Sequence, residues 1–352
     1  MADGRVAAVI FVGIVIVGTV TGTAFAVAGG GGGGGSPDGA DVSGQSPEQS
    51  QPETLGQEPD EEGGTIAIGG DADGARILVD TRHSNRFSRS DLEPLSEAMF
   101  EAGHSLEFAG APAGPRDGAP RRGARGAQSG PGAQGTDYAA TLEDYDGLLV
   151  IQPTEGFSQA ERQTLRNYTD AGGRVVVLAE PTQFAVGNGR FATLSTVQFG
   201  ANNLTQQFGV RVGSEVLYNT DDERNDNNFK SIYASPSGTG MLTEGVDTIS
   251  LDTGGYAVVG DTAATTVYTA DDGTRTLETR REGDYGVVVR SGNLAFVADS
   301  SFVEPSELYD VDNEVFAGNL LEFLVTGDVD PDFGAEGTTP EPPGSQTPTP
   351  PA

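Results

Sequence analysis

Seven polar residues stand where buried strands are expected to end, and their types suit holding an anion or moving a proton. Asp80, Arg82, His83 and Asn85 follow the apolar run Ile77-Leu78-Val79. Gln152 and Thr154, with Glu155 next, follow Gly147-Leu148-Leu149-Val150-Ile151, and Glu180 follows Val175-Val176-Val177-Leu178-Ala179. The carboxylates with His83 would serve a hydrolase or transferase. Arg82, Arg86 and Arg89 come just before an expected helix start, where free N–H groups and the helix dipole favour a carboxylate, a phosphate or a sugar acid. The plainer reading of the same residues is a solvated polar loop bridged to acidic surface.

Other candidates carry less. Ser300-Ser301 lacks a Gly-x-Ser-x-Gly elbow and reads as a turn-capping pair. Asp221-Asp222-Glu223-Arg224-Asn225 and Asp328-Val329-Asp330-Pro331-Asp332 lack the glycine and distal glutamate of an EF-hand and read as charged loops. With 0 cysteines and only His83 and His104, there is neither a thiol nucleophile nor a His-rich metal cluster. No catalytic residue, metal or cofactor is therefore expected. Asn167-Tyr168-Thr169 and Asn203-Leu204-Thr205 are glycosylation sequons.

The elements that would position these residues follow from periodicity. Wholly apolar runs at 77–79, 147–151 and 175–179 have no polar alternation, as strands buried on both faces of a parallel sheet do. Ser90-Asp91-Leu92-Glu93 and Ser158-Gln159-Ala160-Glu161 read as capping boxes. The first opens a helix with Leu92, Leu95, Met99 and Ala102 on one face, ended by Gly103. The second opens one with Ala160, Thr164, Tyr168 and Ala171 on a face, ended by Gly172. Ser105–Phe108 is a short strand. Residues 109–136, rich in Gly, Ala, Pro and Arg, read as a mobile insertion, with Arg116, Arg121, Arg122 and Arg125 as a basic island. Residues 197–208 suit a helix and 219–240 a polar loop. Short β-prone runs at 248–251, 256–259, 265–269 and 276–280 read as a small antiparallel β insertion. Residues 285–290 and 293–297, joined at Ser291-Gly292, form a hairpin, and a last helix carries Phe316, Leu320, Phe323 and Leu324. The expected fold is α/β: a doubly wound, mainly parallel sheet.

The rest of the chain concerns location. Residues 6–28 carry no charge, and at about 1.5 Å per residue they span the ~30 Å hydrocarbon core of a bilayer, so an N-terminal transmembrane helix is expected. Ala24-Phe25-Ala26 and Ala26-Val27-Ala28 also fit signal cleavage sites, which leaves a secreted form open. Arg5 precedes the span and no Arg or Lys follows before Arg76, which puts the N-terminus in the cytoplasm and the bulk outside. Residues 29–75, glycine-rich and then acidic, read as a disordered linker. Residues 76–327 are the expected domain, and 328–352 a disordered Pro/Thr tail. Net charge is −32, with 52 acids against 20 bases and a single lysine, Lys230. Such a surface suits molar salt, where repulsion is screened, and a halophilic archaeal source is expected. It argues against nucleic acid or an anionic membrane surface as a partner. The partners left are the membrane through 6–28 and membrane proteins.

Four features occur in order: Ile77–Asp80 with Asn85-Arg86-Phe87-Ser88; Tyr145–Val150; Gly172–Val177; and Ala298–Phe302 followed by Asn313 and Asn319-Leu320-Leu321. Together they resemble the domain-of-unknown-function family numbered 4350, over about residues 76–326. The resemblance implies a flavodoxin-like, class I glutamine amidotransferase-like sheet, a membrane anchor and no established activity. It also implies an association with MoxR-type ATPases or transporter-linked membrane assemblies. True amidotransferases need a Gly-x-Cys-x-Gly elbow and a downstream His-Glu pair, which this chain lacks. The expected function is a membrane-tethered, non-catalytic interaction or ligand-sensing domain. The alternatives are a hydrolase or transferase at the switch point, or a solute-binding accessory of a transporter.

Overall fold

The computed structural model describes residues 63–69, 74–108, 133–187, 193–260, 263–330 and 333, all within one compact unit. The expected span at 6–28, the linker up to 62, most of the insertion (109–132) and the tail beyond 333 lie outside the described residues. Among the described residues no helix is long and apolar enough to cross a membrane.

The main elements are β1 (Arg76–Val79), α1 (Glu93–Glu101), β2 (Ser105–Phe108), α2 (Ala133–Leu142), β3 (Gly147–Ile151), α3 (Gln159–Asp170) and β4 (Arg174–Leu178). They are followed by β5 (Ser231–Pro236), β6 (Ile249–Asp252), β7 (Thr265–Ala270), β8 (Gly286–Ser291), β9 (Leu294–Val297) and α4 (Asn313–Val325). All nine strands form one sheet, in the order β6-β5-β7-β8-β9-β4-β3-β1-β2. The block β9-β4-β3-β1-β2 is parallel throughout, and the other pairings are antiparallel. Within the parallel block the chain runs outward from β1 to β2 and then returns to β3 on the other side of β1. The switch point therefore lies between β1 and β3.

Alternation along the central strands feeds two cores. Val176 and Leu178 join α1 and α4 on one face, with Leu95, Met99, Phe316 and Leu320. Val175, Val177 and Ala179 join α2 and α3 on the other, with Tyr138, Leu165 and Tyr168. At ~25 cal/mol per Å² of apolar area removed from water, this double burial is the main force holding the sheet.

Several sequence expectations need correction. Of the runs expected as a small antiparallel insertion, those at β6 and β7 continue the main sheet, while Ala257–Val259 and Arg275–Thr276 form two-stranded ribbons with Val210–Val212 and Leu217–Tyr218. Residues 219–240 are not all loop, because Ile232 and Ala234 of β5 are buried between β6 and β7. Residues 133–136 belong to α2, whose later anchors Tyr138 and Leu142 lie one turn apart. The run 197–208 holds only a short helix, Asn202–Thr205, and a 3₁₀ turn, since Leu194–Val197 is already committed to a ribbon, Gln183–Gly187 with Thr193–Val197. The first capping box does not form. Ser88 N donates to Asp91 and Ser88 Oγ meets Ser90 Oγ at 2.6 Å, which spends these groups in a turn, and α1 starts at Glu93-Pro94 without a side-chain cap. The second box forms in full. The buried face of α3 is Glu161, Leu165, Tyr168 and Thr169, while Ala160 is exposed. Ala102 is likewise exposed on α1.

Both ends of the body reach past the expected boundaries at 76 and 327. Residues 63–69 lie along α4, with Ile66 and Ile68 against the core and Gly69 N donating to Glu322. The strap comes so close to α4 that a side chain at Gly318 would strike the Ala67 carbonyl. At the other end Asp330 N donates to Ala171 O and Phe333 packs on the Tyr168 ring at 5.3 Å.

Candidate functional site

The carboxyl end of the parallel block gathers the polar residues. Asp80, Glu180 and Asp299 each follow a buried apolar strand, and Gln152 follows β3. Backbone hydrogen bonds clip the loops together. His83 O accepts from Thr154 N and Glu155 N, Gln152 O accepts from Arg86 N, and Pro153 O accepts from Gly200 N. Asn85 Nδ2 donates to Ile151 O, and Thr154 Oγ1 donates to Ser84 O. Ser84 and Gln152 hold positive φ (52° and 37°), a conformation costly for side-chain-bearing residues and maintained here by these clips.

Two buried clusters result. In the first, His83 Nδ1 lies 2.8 Å from Asp80 Oδ2 and His83 Nε2 lies 3.6 Å from Glu161 Oε2. The ring stacks on Phe157 at 3.6 Å, with Tyr138 edge-on at 6.2 Å. Burial alone would lower the His83 pKa; the hydrogen bond and charge of Asp80, with help from Glu161, outweigh it and raise the value. Burial would raise Glu161, but its capping bonds from Ser158 and the nearby imidazole leave it lowered. The two carboxylates thus favour the charged form of the imidazole between them.

The second cluster joins the ends of β4 and β9. Glu180 Oε1 accepts from Ser300 N at 2.8 Å and Ser300 Oγ at 2.6 Å; Glu180 Oε2 accepts from Gln183 Nε2 at 3.2 Å. Gln183 in turn accepts from Gln152 Nε2. Asp299, fully buried, meets Ser301 Oγ at 2.9 Å and Phe302 N at 3.1 Å, and shares a hydrogen bond with Glu180. Burial pushes Glu180 up to about 7, and burial together with the Glu180 charge pushes Asp299 well above the usual carboxylate range. Two carboxyls side by side with no cation retain a proton between them.

Of the sequence candidates, Asp80, His83, Asn85, Gln152, Thr154 and Glu180 thus come together, mostly buried and bonded to one another. The three arginines do not converge. Arg82 lies over the Tyr138 ring at 5.2 Å and Arg89 over Phe108 at 4.5 Å. Arg86 lines a cavity of about 470 Å³ with Thr154, Thr196, Val197 and Gln198. Sequence reasoning missed Asp299, Ser300 and Gln183 as members of the site, and Glu161 as more than a cap. The signal for Asp299 was available: an acid directly after a buried apolar strand, repeated at Asp80 and Glu180. Among the described residues, no group of three or more acidic or histidine side chains is arranged to hold a metal ion.

Fold and site define a mixed α/β protein with a parallel sheet whose carboxyl edge is closed by its own polar residues. The chain belongs to the family described as "Domain of unknown function (DUF4350)", whose profile matches residues 121–321. No curated protein sequence matches it significantly. Among solved structures, the mmIFT52 N-terminal domain is similar with a TM-score of 0.50 at 14% identity, over 72% of this chain and 99% of that one. A ThuA-like protein from Bacteroides uniformis ATCC 8492 gives 0.40 at 10% identity, over 76% and 99%. At such identities the likeness concerns fold alone.

Proposed function

We propose that the chain is a non-catalytic binding domain, tethered to a membrane through residues 6–28 with its bulk outside, in a halophilic archaeon. The observation that carries the non-catalytic reading is saturation of the switch point. Both nitrogens of His83 face carboxylates, and both oxygens of Glu180 accept from neighbours. A general base needs a nitrogen or oxygen within reach of a substrate proton. The strand order β2-β1-β3-β4-β9 supports a flavodoxin-like, amidotransferase-like sheet. Glutamine hydrolysis through a thiolate is closed to a chain with 0 cysteines. The uncharged stretch 6–28 supports the tether, the acidic composition supports the salt-adapted source, and a MoxR-type or transporter-linked assembly is the expected setting.

Affinity purification of the full chain from native membranes in molar salt tests this reading. Co-purification of an integral membrane protein is expected. Recovery from the soluble fraction alone, with an N-terminus beyond residue 28, would overturn the tether.

The hydrolase or transferase alternative rests on the Asp80–His83 pair at 2.8 Å. Against it, Phe157 covers the ring face and Glu161 occupies the side of Nε2. A His83→Gln variant separates the two: a folded variant that abolishes cellular function without losing stability would favour the enzyme.

A further inference from the structure

The geometry points to a small-molecule site at the mouth of the switch point, in the cavity lined by Arg86, Thr154, Thr196, Val197 and Gln198, for a small hydroxylated organic anion such as a sugar acid. This deepens the reading of a binding domain without chemistry, and rests on it.

The charge comes first. Among the described residues the Arg86 guanidinium has no carboxylate, carbonyl or aromatic partner; its backbone N–H alone is engaged, on Gln152 O. Arg76 and Arg275, by contrast, pair with Glu107 and Glu282, while Arg82 and Arg89 lie over rings. A chain with 52 acids against 20 bases has many carboxylates to offer any exposed arginine, so an unpaired one in a concavity stands out. A guanidinium fork matches a carboxylate with two parallel hydrogen bonds.

Shape and lining come second. About 470 Å³ falls within the ~300–1,000 Å³ range of small-molecule pockets. Around the arginine sit two threonine hydroxyls, one primary amide and one valine. Thr154 Oγ1 already donates its proton to Ser84 O, so toward a ligand it can only accept, as a sugar hydroxyl requires. Gln198 can both donate and accept, and Val197 offers one apolar wall. The lining suits hydroxyls around a single negative charge better than a hydrophobic body.

Rigidity comes third. The wall at 154 is fixed by Thr154 N to His83 O at 3.1 Å, and the wall at 86 by Arg86 N to Gln152 O at 3.1 Å. The segment 196–200 is tied down by Gly200 N to Pro153 O at 2.7 Å. Gly200 is required there: a Cβ would lie 2.6 Å from the backbone carbons of Thr154 and Glu155. A pocket ordered before binding loses less entropy on binding.

Titration calorimetry on the full chain, at fixed molar potassium chloride, tests the site with glucuronate, galacturonate and gluconate, with methyl glucoside and glucuronamide as neutral counterparts and inorganic phosphate as a bare anion. Saturable binding of at least one sugar acid is expected, with a tenfold or greater loss in Arg86→Gln and partial recovery in Arg86→Lys. Arg86 is exposed, so these variants should keep the wild-type melting temperature. Absence of binding by all three sugar acids at millimolar concentration, equal binding of the neutral sugars, or unchanged binding in Arg86→Gln would each overturn the proposal. Phosphate binding as tight as the sugar acids would overturn the hydroxyl part of it. Turnover of a bound sugar acid, followed by proton NMR, would instead overturn the non-catalytic reading while leaving the site in place.

Discussion

The two buried polar clusters are solutions to one problem reached in opposite ways. Around His83 two carboxylates, Asp80 and Glu161, face the two ring nitrogens and favour the charged imidazole. Around Glu180 and Asp299 no cation stands among the described residues, and the pair is tolerated because a proton stays between the carboxyls and hydroxyl, amide and backbone donors surround them. The first cluster is held by charge and breaks if one partner is removed. The second is held by neutralisation and should tolerate an uncharged isostere.

The largest expected effect breaks the first cluster. His83→Ala leaves Asp80 and Glu161 buried without their cation and removes the stack on Phe157; a loss of about 3–5 kcal/mol is expected in denaturant unfolding at molar salt. Glu180→Gln at pH 5 should cost under about 1 kcal/mol, since Ser300 still finds an oxygen. Equal losses in the two variants would mean that both clusters are held in the same way.

Overpacking comes next. Gly200→Ala should cost about 1–3 kcal/mol, because the new methyl meets backbone rather than a flexible side chain. Thermal unfolding measures it, and a neutral result would mean that the 153–155 loop yields freely.

The pH dependence sharpens the comparison further. Glu180 has a folded pKa raised from 4.5 to about 7, so between those values the folded state binds more protons than the unfolded. Its contribution is full below pH 4.5 and is lost as pH rises through about 7. The raised imidazole of His83 contributes fully below about 6.5, the free imidazole value, and loses its contribution only as pH passes the higher folded value. Lowered Glu161 acts the other way, its contribution fading as pH falls below its ordinary range. Melting temperature scanned from pH 4.5 to 9 should therefore decline, with the raised carboxyls of Asp299 and Asp310 acting in the same direction as Glu180 and His83. Glu180→Gln should flatten the decline below about pH 7 and His83→Gln the decline above about 6.5; a single variant that flattens both parts would show the clusters to be coupled.

The smallest effects separate the two Ser-x-x-Glu sequences. Ser158→Ala should cost about 1 kcal/mol, and Ser90→Ala under about 0.5 kcal/mol, because only the first caps a helix. Circular-dichroism melts of the pair suffice.

These caps also show where sequence reasoning reaches and where it stops. β2 and β3 were legible to the residue: β3 is an uninterrupted apolar run following Asp146, and β2, Ser-Leu-Glu-Phe, follows the helix-ending glycine at 103. The hairpin of β8 and β9 was legible through Ser291-Gly292, with Gly292 at φ 58°. The N-terminus of α1 was not, since Ser90 has a closer partner in Ser88 than any helix N–H, and local side-chain competition leaves no trace in spacing. β5 was hidden among Asn and Asp because its burial comes from neighbours on both sides rather than from its own pattern. In the site, strand ends predicted which residues gather, but not that they would satisfy one another. That depended on Phe157, Glu161 and Ser300, which arrive from the turn before α3, from α3 itself and from the end of β9 beside β4.

The strap at 63–69 has a mechanical consequence. It lies on α4, which packs across the parallel strands on one face, while Phe333 is pinned to α3 on the other. A pull on the chain from its N-terminal side therefore reaches β1 only after Ile66 and Ile68 have been peeled from α4 and the Gly69–Glu322 bond has opened. The strap is a fuse in series with the sheet, and at low load it, rather than the nine strands, sets the force at which the domain first yields.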